Sequence, residues 1–191
     1  MSIKVSIDAS GGDFGFPVTI NAGINALKAY DDLLVNFVGD KNGIERELNN
    51  NSLYSRLSDR IFITHANEVI NMDDSASEAL RHKKDSSMRV AINLVKDGEA
   101  DACVSAGNTG ALMSIARFVL KTISGVDRPA IMSAVPTLKG PTHVLDLGAN
   151  IDSKPSTLLQ FAIMGSIAVQ NTENIDNPSV GLLNVGTEEL K

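Results

Sequence analysis

Short apolar runs alternate along the chain with stretches whose apolar residues recur every three or four positions, and polar, glycine-rich turns separate them. Ile3–Ile7 reads as a strand ending in Asp8-Ala9-Ser10-Gly11-Gly12-Asp13. Pro17 suits the first turn of a helix, with Ile20, Ile24 and Leu27 on one face. Leu33–Val38 predicts a buried strand closed by Gly39-Asp40, Ile44–Leu48 a short helical piece, and Asn49-Asn50-Asn51-Ser52 a loop. Ile61–Thr64 is a strand. The charged segment from His65 to Ser87 has no clear period. Ser87–Val95 is helical and ends at Asp97-Gly98, and Asp101–Ser105 is a strand. The next helix runs over Leu112–Ile123; Ala111, Ile115, Val119 and Ile123 share one face, with Arg117 and Lys121 on the other side. Ile131–Val135 and His143–Leu147 are strands. Pro155 opens a long helix that is apolar on almost every side and is therefore expected to be buried. Val180–Val185 is a last strand.

This order predicts an α/β fold with a largely parallel sheet flanked by helices, formed as one domain over residues 1–191. In such sheets ligands sit beyond the carboxyl ends of the strands. The polar turns Asp8–Asp13, Ser105–Gly110, Asp146–Lys154 and Asn184–Glu189 all follow strands, so they are expected to share one rim. The bland alternative is that all four are ordinary turns.

Ser105-Ala106-Gly107-Asn108-Thr109-Gly110-Ala111 carries the most chemistry. Glycines let the backbone approach a ligand closely. The first turn of a helix has unpaired N–H groups and the positive end of the helix dipole, which favours an anion. Ser105, Asn108 and Thr109 add short side-chain donors. The run is an oxyanion or phosphate seat, or a tight strand-to-helix turn that uses the same residues. Ser86 and Ser87 open a helix after Lys83 and Lys84; they either cap it or face an anion.

Composition narrows the field. A formal charge of −6 over 191 residues argues against a non-specific nucleic-acid binder. The single cysteine, Cys103, excludes an internal disulfide and suits a reducing cytosol. Its place in an apolar strand favours a structural thiol over a nucleophile. The amino terminus lacks the pattern of a signal peptide. The longest apolar region, Leu158–Val169, is interrupted by Gln160, Gly165 and Ser166 and falls short of the roughly 18 residues of a membrane span. These features predict a soluble, cytoplasmic protein. The chain stops at Glu188-Glu189-Leu190-Lys191, where a helix is only beginning, which predicts a fragment of a longer protein.

Six motifs in order carry a resemblance. Asp8-Ala9-Ser10-Gly11-Gly12-Asp13, Lys83–Met88, Ala100–Met113, Asp127-Arg128-Pro129-Ala130, Asp146-Leu147-Gly148-Ala149-Asn150 and Leu182–Glu188 together resemble the PlsX-type phosphate acyltransferases of bacterial phospholipid synthesis, from Ile3 to Lys191. The resemblance implies transfer of a fatty acyl group from acyl carrier protein to inorganic phosphate. The acyl phosphate product passes to a membrane acyltransferase. It further implies an isocitrate/isopropylmalate dehydrogenase-like fold, a homodimer and peripheral association with the membrane. Ser10 stands where the family usually has Met, and the family's second half, with its Asp-Gly-Phe-Thr-Gly-Asn element, is not in this sequence.

The implied reaction needs positioning and oxyanion stabilisation rather than a triad, metal or cofactor. His65, His82 and His143 show neither metal nor triad spacing. Lys154, ahead of Pro155, either neutralises phosphate or is a surface lysine. Asn150 either donates to the thioester oxygen or caps its loop. Lys191 matches the lysine of the family's Gly-Thr-Glu turn, which holds Gly186 and Thr187. Asp8 and Asp13, with Gly11 and Gly12, shape the first turn or touch substrate. Two other readings stay open: a non-catalytic anion-binding fragment, and a dehydrogenase of related fold.

Overall fold

The computed structural model describes residues 2–150 and 152–183 and divides into two compact units, Met1–Lys121 and Thr122–Lys191. The first unit is built on β1 (Ile3–Asp8), β2 (Leu33–Gly39), β3 (Ile61–His65) and β4 (Ala102–Val104). Among the described residues these four form one parallel sheet in the order β3-β2-β1-β4. Asp8 pairs with Val38, and Ile7 with Val104. The parallel α/β architecture expected from the sequence is therefore present in this unit.

Side chains alternate across the sheet, and the alternation separates two cores. Val35 and Phe37 of β2 face α1 (Phe16–Ala29), whose Ile20, Ile24 and Leu27 are buried with Ile44 and Leu48 of α2 (Lys41–Asn49). Val38 points the other way, against Ala91 and Leu94 of α5 (Ser87–Lys96). Beyond α5, Met88 and Ile92 pack with Ala111, Ile115 and Val119 of α6 (Thr109–Leu120). Helices thus cover both faces, and the apolar run of β2 reads as continuous because neither side meets water. Each buried Ile or Leu contributes about 1.5–3 kcal/mol. Arg60 locks one end of this arrangement: its guanidinium donates to the Leu27 and Tyr30 carbonyls, both at 2.8 Å, at the carboxyl end of α1.

Two helices lie where the sequence shows little pattern. α3 (Tyr54–Leu57) is a single turn. α4 (Ala76–His82) sits inside the irregular segment and is capped by the Ser75 hydroxyl, which accepts from the Glu78 N–H at 3.2 Å. α6 begins and ends earlier than its apolar period suggests. Lys121 turns to φ 68° and stops it, so Ile123 leaves the shared face and is 77% exposed.

The second unit departs from the sequence reading. β5 (Met132–Thr137) and β6 (Gly140–Leu145) pair antiparallel in a sheet of their own. Only Leu138 and Lys139 separate them, and so short a link cannot join parallel strands. The expected strands stop at Val135 and start again at His143; the ladder runs on through Pro136 and Pro141, which face each other across it. α7 (Pro155–Glu173) forms as expected but is not buried. Leu159, Ile163 and Ile167, spaced by four, form an exposed stripe, while Phe161 is covered. A two-stranded ribbon shields only one side of a helix. Val180–Leu183, expected in a strand, is irregular; Asn184 and Val185 lie outside the described residues.

Gly23 of α1 is the tightest helix–sheet contact. A Cβ there would lie 2.5 Å from Phe37 Cζ and 3.1 Å from Ile7 Cδ1, and Phe37 is fully buried. Gly23→Ala is expected to lower stability by about 1–3 kcal/mol in urea unfolding, because overpacking outweighs the gain in helix propensity. An unchanged or higher midpoint would contradict this packing.

Candidate functional site

The strand order reverses between β1 and β4: β1 leads through α1 to β2 on one side, and the chain returns from β3 to place β4 on the other. In sheets of this kind such a point, beyond the carboxyl ends of the strands, is where ligands sit. The turns Asp8–Asp13 and Ser105–Gly110 leave the sheet there. One side chain ties them together. Asp8, the last residue of β1, is 1% exposed. Ser87 Oγ donates to its Oδ1 at 2.6 Å, and Ser105 Oγ donates to its Oδ2 at 2.7 Å. Ser105 Oγ in turn accepts the Gly107 N–H at 3.0 Å. Asp8 shares its strand face with Ser6, whose hydroxyl donates to the Ala91 carbonyl at 2.9 Å, so β1 presents polar atoms only toward α5.

The glycines are spatial necessities here. A Cβ on Gly11 would lie 2.4 Å from Asp8 Oδ2 and 3.2 Å from the Gly107 nitrogen. A Cβ on Gly107 would lie 3.0 Å from Met88 Cε. Gly12 adopts φ 87°, which L side chains resist, and its Cα passes close to the Ala106 carbonyl. The two turns are pressed together on the buried carboxylate.

The helix starts near this edge differ in what they leave free. At α2, Asp40 Oδ2 takes the Gly43 N–H and His65 Nδ1 takes the Lys41 N–H. At α5, Ser86 Oγ takes the Arg89 N–H, and the Glu68 carbonyl takes that of Ser87. At α1, Pro17 has no N–H to offer. At α6, Asn108 Oδ1 takes the Ala111 N–H, and the Asn108 carbonyl takes that of Leu112. The amides of Thr109 and Gly110 stay uncommitted at an exposed helix start. The α4 start leaves the Ala76 and Ser77 amides uncommitted in the same way, but on a helix of only 7 residues; the α6 start, on 12 residues at the strand switch point, is the better anion seat.

The structure gives several predicted residues another task. Asn108 Nδ2 donates to the carbonyls of Asn71, Met72 and Asp74, stapling that loop to α6. Ser86, fully buried, donates to the Lys83 carbonyl. Ser87 and Ser105 spend their protons on Asp8. Asp13 is exposed. In the second unit, Asn150 Nδ2 donates to the Pro129 carbonyl and to Asp146 Oδ2, both at 3.0 Å. Burial pushes the Asp146 carboxyl up, but the donors on Ile131, Asn150 and Ala149 hold it below the usual range. Lys154 is exposed at the start of α7. Lys191, Gly186 and Thr187, with the whole Asn184–Glu189 turn, lie outside the described residues.

Sequence reasoning missed the loop that Asn108 holds. Asp74 accepts from the Asn71 N–H and from Lys83 Nζ, which also donates to the Val69 carbonyl at 2.8 Å. The hydrogen bond from Lys83, then that from Asn71, sets the Asp74 carboxyl below its ordinary value. The sequence shows these residues only as an irregular charged run. Among the described residues, no group of three or more His, Cys, Asp or Glu is placed to hold a metal ion.

Cys103 is half-buried between the two cores on the α5 side. Burial, and then the Asp8 charge, push its thiol up to about 11 from 9.0 against the opposing hydrogen bond of Ser6. At pH 8 the folded protein then holds about a hundredfold less thiolate than the unfolded chain, and alkylation by iodoacetamide slows by that factor. Equal alkylation rates in the folded and urea-unfolded protein would contradict the assignment of Cys103 as structural.

The model of a family described as fatty acid synthesis protein matches residues 3–191. A protein named phosphate acyltransferase from Vesicomyosocius okutanii is 62% identical over 194 residues, covering 100% of this chain and 56% of its own. The protein of that name from Ruthia magnifica is also 62% identical, over 191 residues and with the same coverage. One from Legionella pneumophila strain Paris is 54% identical over 190 residues, covering 100% of this chain and 55% of its own. The chain therefore spans about half the length of the curated relatives it matches. A match over nearly every residue here, with relatives of this identity, places the chain in the fatty acid synthesis protein family.

Proposed function

We propose that the full-length protein transfers a fatty acyl group from acyl carrier protein to inorganic phosphate. The reading rests on one observation: a chain of this family leaves the Thr109 and Gly110 amides free at its strand switch point. Phosphate is a dianion near neutral pH and a competent nucleophile without a base. One phosphate oxygen attacks the thioester carbonyl carbon, a C–O bond forms, and the C–S bond breaks. The proton carried by hydrogen phosphate ends on the departing thiol, and acyl phosphate is released. The protein's task is to hold the acceptor still and to offset charge.

In this reading the α6 start receives phosphate through backbone donors and the helix dipole. Lys154 and Lys191 supply cationic charge to phosphate or to the oxyanion. Asn150 acts through its loop, since its amide protons are committed to Pro129 and Asp146. The resemblance extends the proposal. The acyl phosphate serves a membrane acyltransferase in phospholipid synthesis, and the protein works in the cytoplasm as a homodimer at the membrane surface. Among the described residues no helix is long and apolar enough to cross a membrane, so attachment would be peripheral. The four-stranded parallel sheet is compatible with an isocitrate/isopropylmalate dehydrogenase-like whole, with residues 1–191 as the first part of one domain.

Gly110→Ala tests the seat in the full-length protein. A Cβ there has room, 3.5 Å from Asn108 Oδ1 and 3.7 Å from Ala76 Cβ, so folding is unaffected. The added methyl crowds the approach to the free amides. The phosphate KM is expected to rise about tenfold, with kcat at saturating phosphate within about threefold. An unchanged phosphate KM would remove the seat from α6. A folded wild-type protein that makes no acyl phosphate from acyl carrier protein thioester would overturn the function.

A further inference from the structure

We propose that Asp8 is a positioning residue for the phosphate seat, acting through Ser105 and Gly107 on the turn that presents the Thr109 and Gly110 amides. The inference rests on the function proposed above and goes beyond it, because Asp8 itself never meets substrate. At 1% exposure, with each oxygen accepting from a serine hydroxyl, it is closed off from direct contact with a ligand.

What it does is visible in the donor count. A serine hydroxyl has one proton and can accept as well. Ser105 gives its proton to Asp8 Oδ2, which leaves its lone pairs for the Gly107 N–H. The Gly107 amide is thereby drawn inward and withdrawn from the anion, while the amides two and three residues on are left free. Ser87 fixes the other carboxylate oxygen from the start of α5. Gly11 packs on the carboxylate so closely that a Cβ there would lie 2.4 Å from Oδ2, and a Cβ on Gly107 would press on Met88 Cε at 3.0 Å. Three separate parts of the chain, the β1 turn, the α5 start and the β4–α6 turn, therefore share one reference point. Burying a carboxylate among hydroxyls and amides with no cation bonded to it is costly. A core staple alone would be served by an apolar residue. An acceptor for two hydroxyls at once is what a carboxylate uniquely supplies among side chains of this size.

Asp8→Asn keeps size and shape but turns one acceptor into a donor, so one serine must turn from donating to accepting and the Ser105–Gly107 relay is disturbed. Ser105→Ala removes the relay to Gly107 directly. In the full-length protein each is expected to raise the phosphate KM tenfold or more, while the KM for the acyl carrier protein thioester stays within twofold. The double variant is expected to be no worse than Asp8→Asn within twofold, since both cut the same relay. Ser87→Ala, which frees only Oδ1 and leaves the Ser105 relay intact, raises the phosphate KM threefold or less. Titration calorimetry with inorganic phosphate reads the same losses without turnover.

A folded Asp8→Asn with its phosphate KM within twofold of wild type overturns the proposal. So does an equal rise in both KM values alongside a fall in melting temperature, which marks a merely structural staple. If Asp8→Asn does not fold, a folded Ser105→Ala with unchanged phosphate KM overturns it equally. Wild-type protein that binds phosphate but makes no acyl phosphate sinks the proposed reaction and leaves the positioning role standing on the calorimetry. Wild-type protein that binds no phosphate sinks both.

Discussion

The first unit depends on a buried carboxylate placed where the sheet changes direction. Asp8 ends β1 facing α5 and binds Ser87 and Ser105 at 2.6 and 2.7 Å. It carries the β1–β4 pairing, which ends at Ile7 and Val104, on into the turns that leave for helices on opposite faces. Gly11 follows from this constraint, since a Cβ there would lie 2.4 Å from the carboxylate and 3.2 Å from the Gly107 nitrogen. Sheet order, turn composition and the free amides at α6 are thus linked consequences of one placement.

The same geometry leaves more free at α6 than at α2 or α5. Asp40 with His65, and Ser86 with Glu68, each take two amides at the starts of α2 and α5. Asn108 closes only the third amide of α6 and uses its other end to hold the Asn71–Asp74 loop. A side chain read from sequence as a ligand donor proves to be a brace. What stays uncommitted at that start is the backbone N–H of Thr109 and of Gly110, and a side-chain inventory cannot display those.

Much of the first unit was legible because its residues obey strong periods. Ile20, Ile24 and Leu27 at helical spacing, and the apolar run Leu33–Val38, admit few alternatives. Asp8–Asp13 and Ser105–Gly110 were legible as a site because both follow strands and both are rich in glycine. The link between them was not legible. Hydrogen bonds from Ser87 and Ser105 to Asp8 span 79 and 97 residues, and no local pattern encodes such a distance. The second unit misled for local reasons. The strands read as Ile131–Val135 and His143–Leu147 leave out Pro136 and Pro141, which occupy paired positions near the tip of a hairpin. The all-round apolarity of Pro155–Glu173 suggested burial, whereas Leu159, Ile163 and Ile167 stay exposed. Ser75, a single capping residue before a charged stretch, was too weak a signal to reveal α4.

The central claim is that an acceptor anion sits on the free backbone amides at the start of α6. Amide chemical shifts of the full-length protein, followed by NMR as inorganic phosphate is added, test it most directly. The account predicts saturable shifts centred on Thr109 and Gly110, with the capped amides of Lys41, Gly43 and Arg89 unmoved. Saturable shifts that spare Thr109 and Gly110 and appear at another helix start would contradict it.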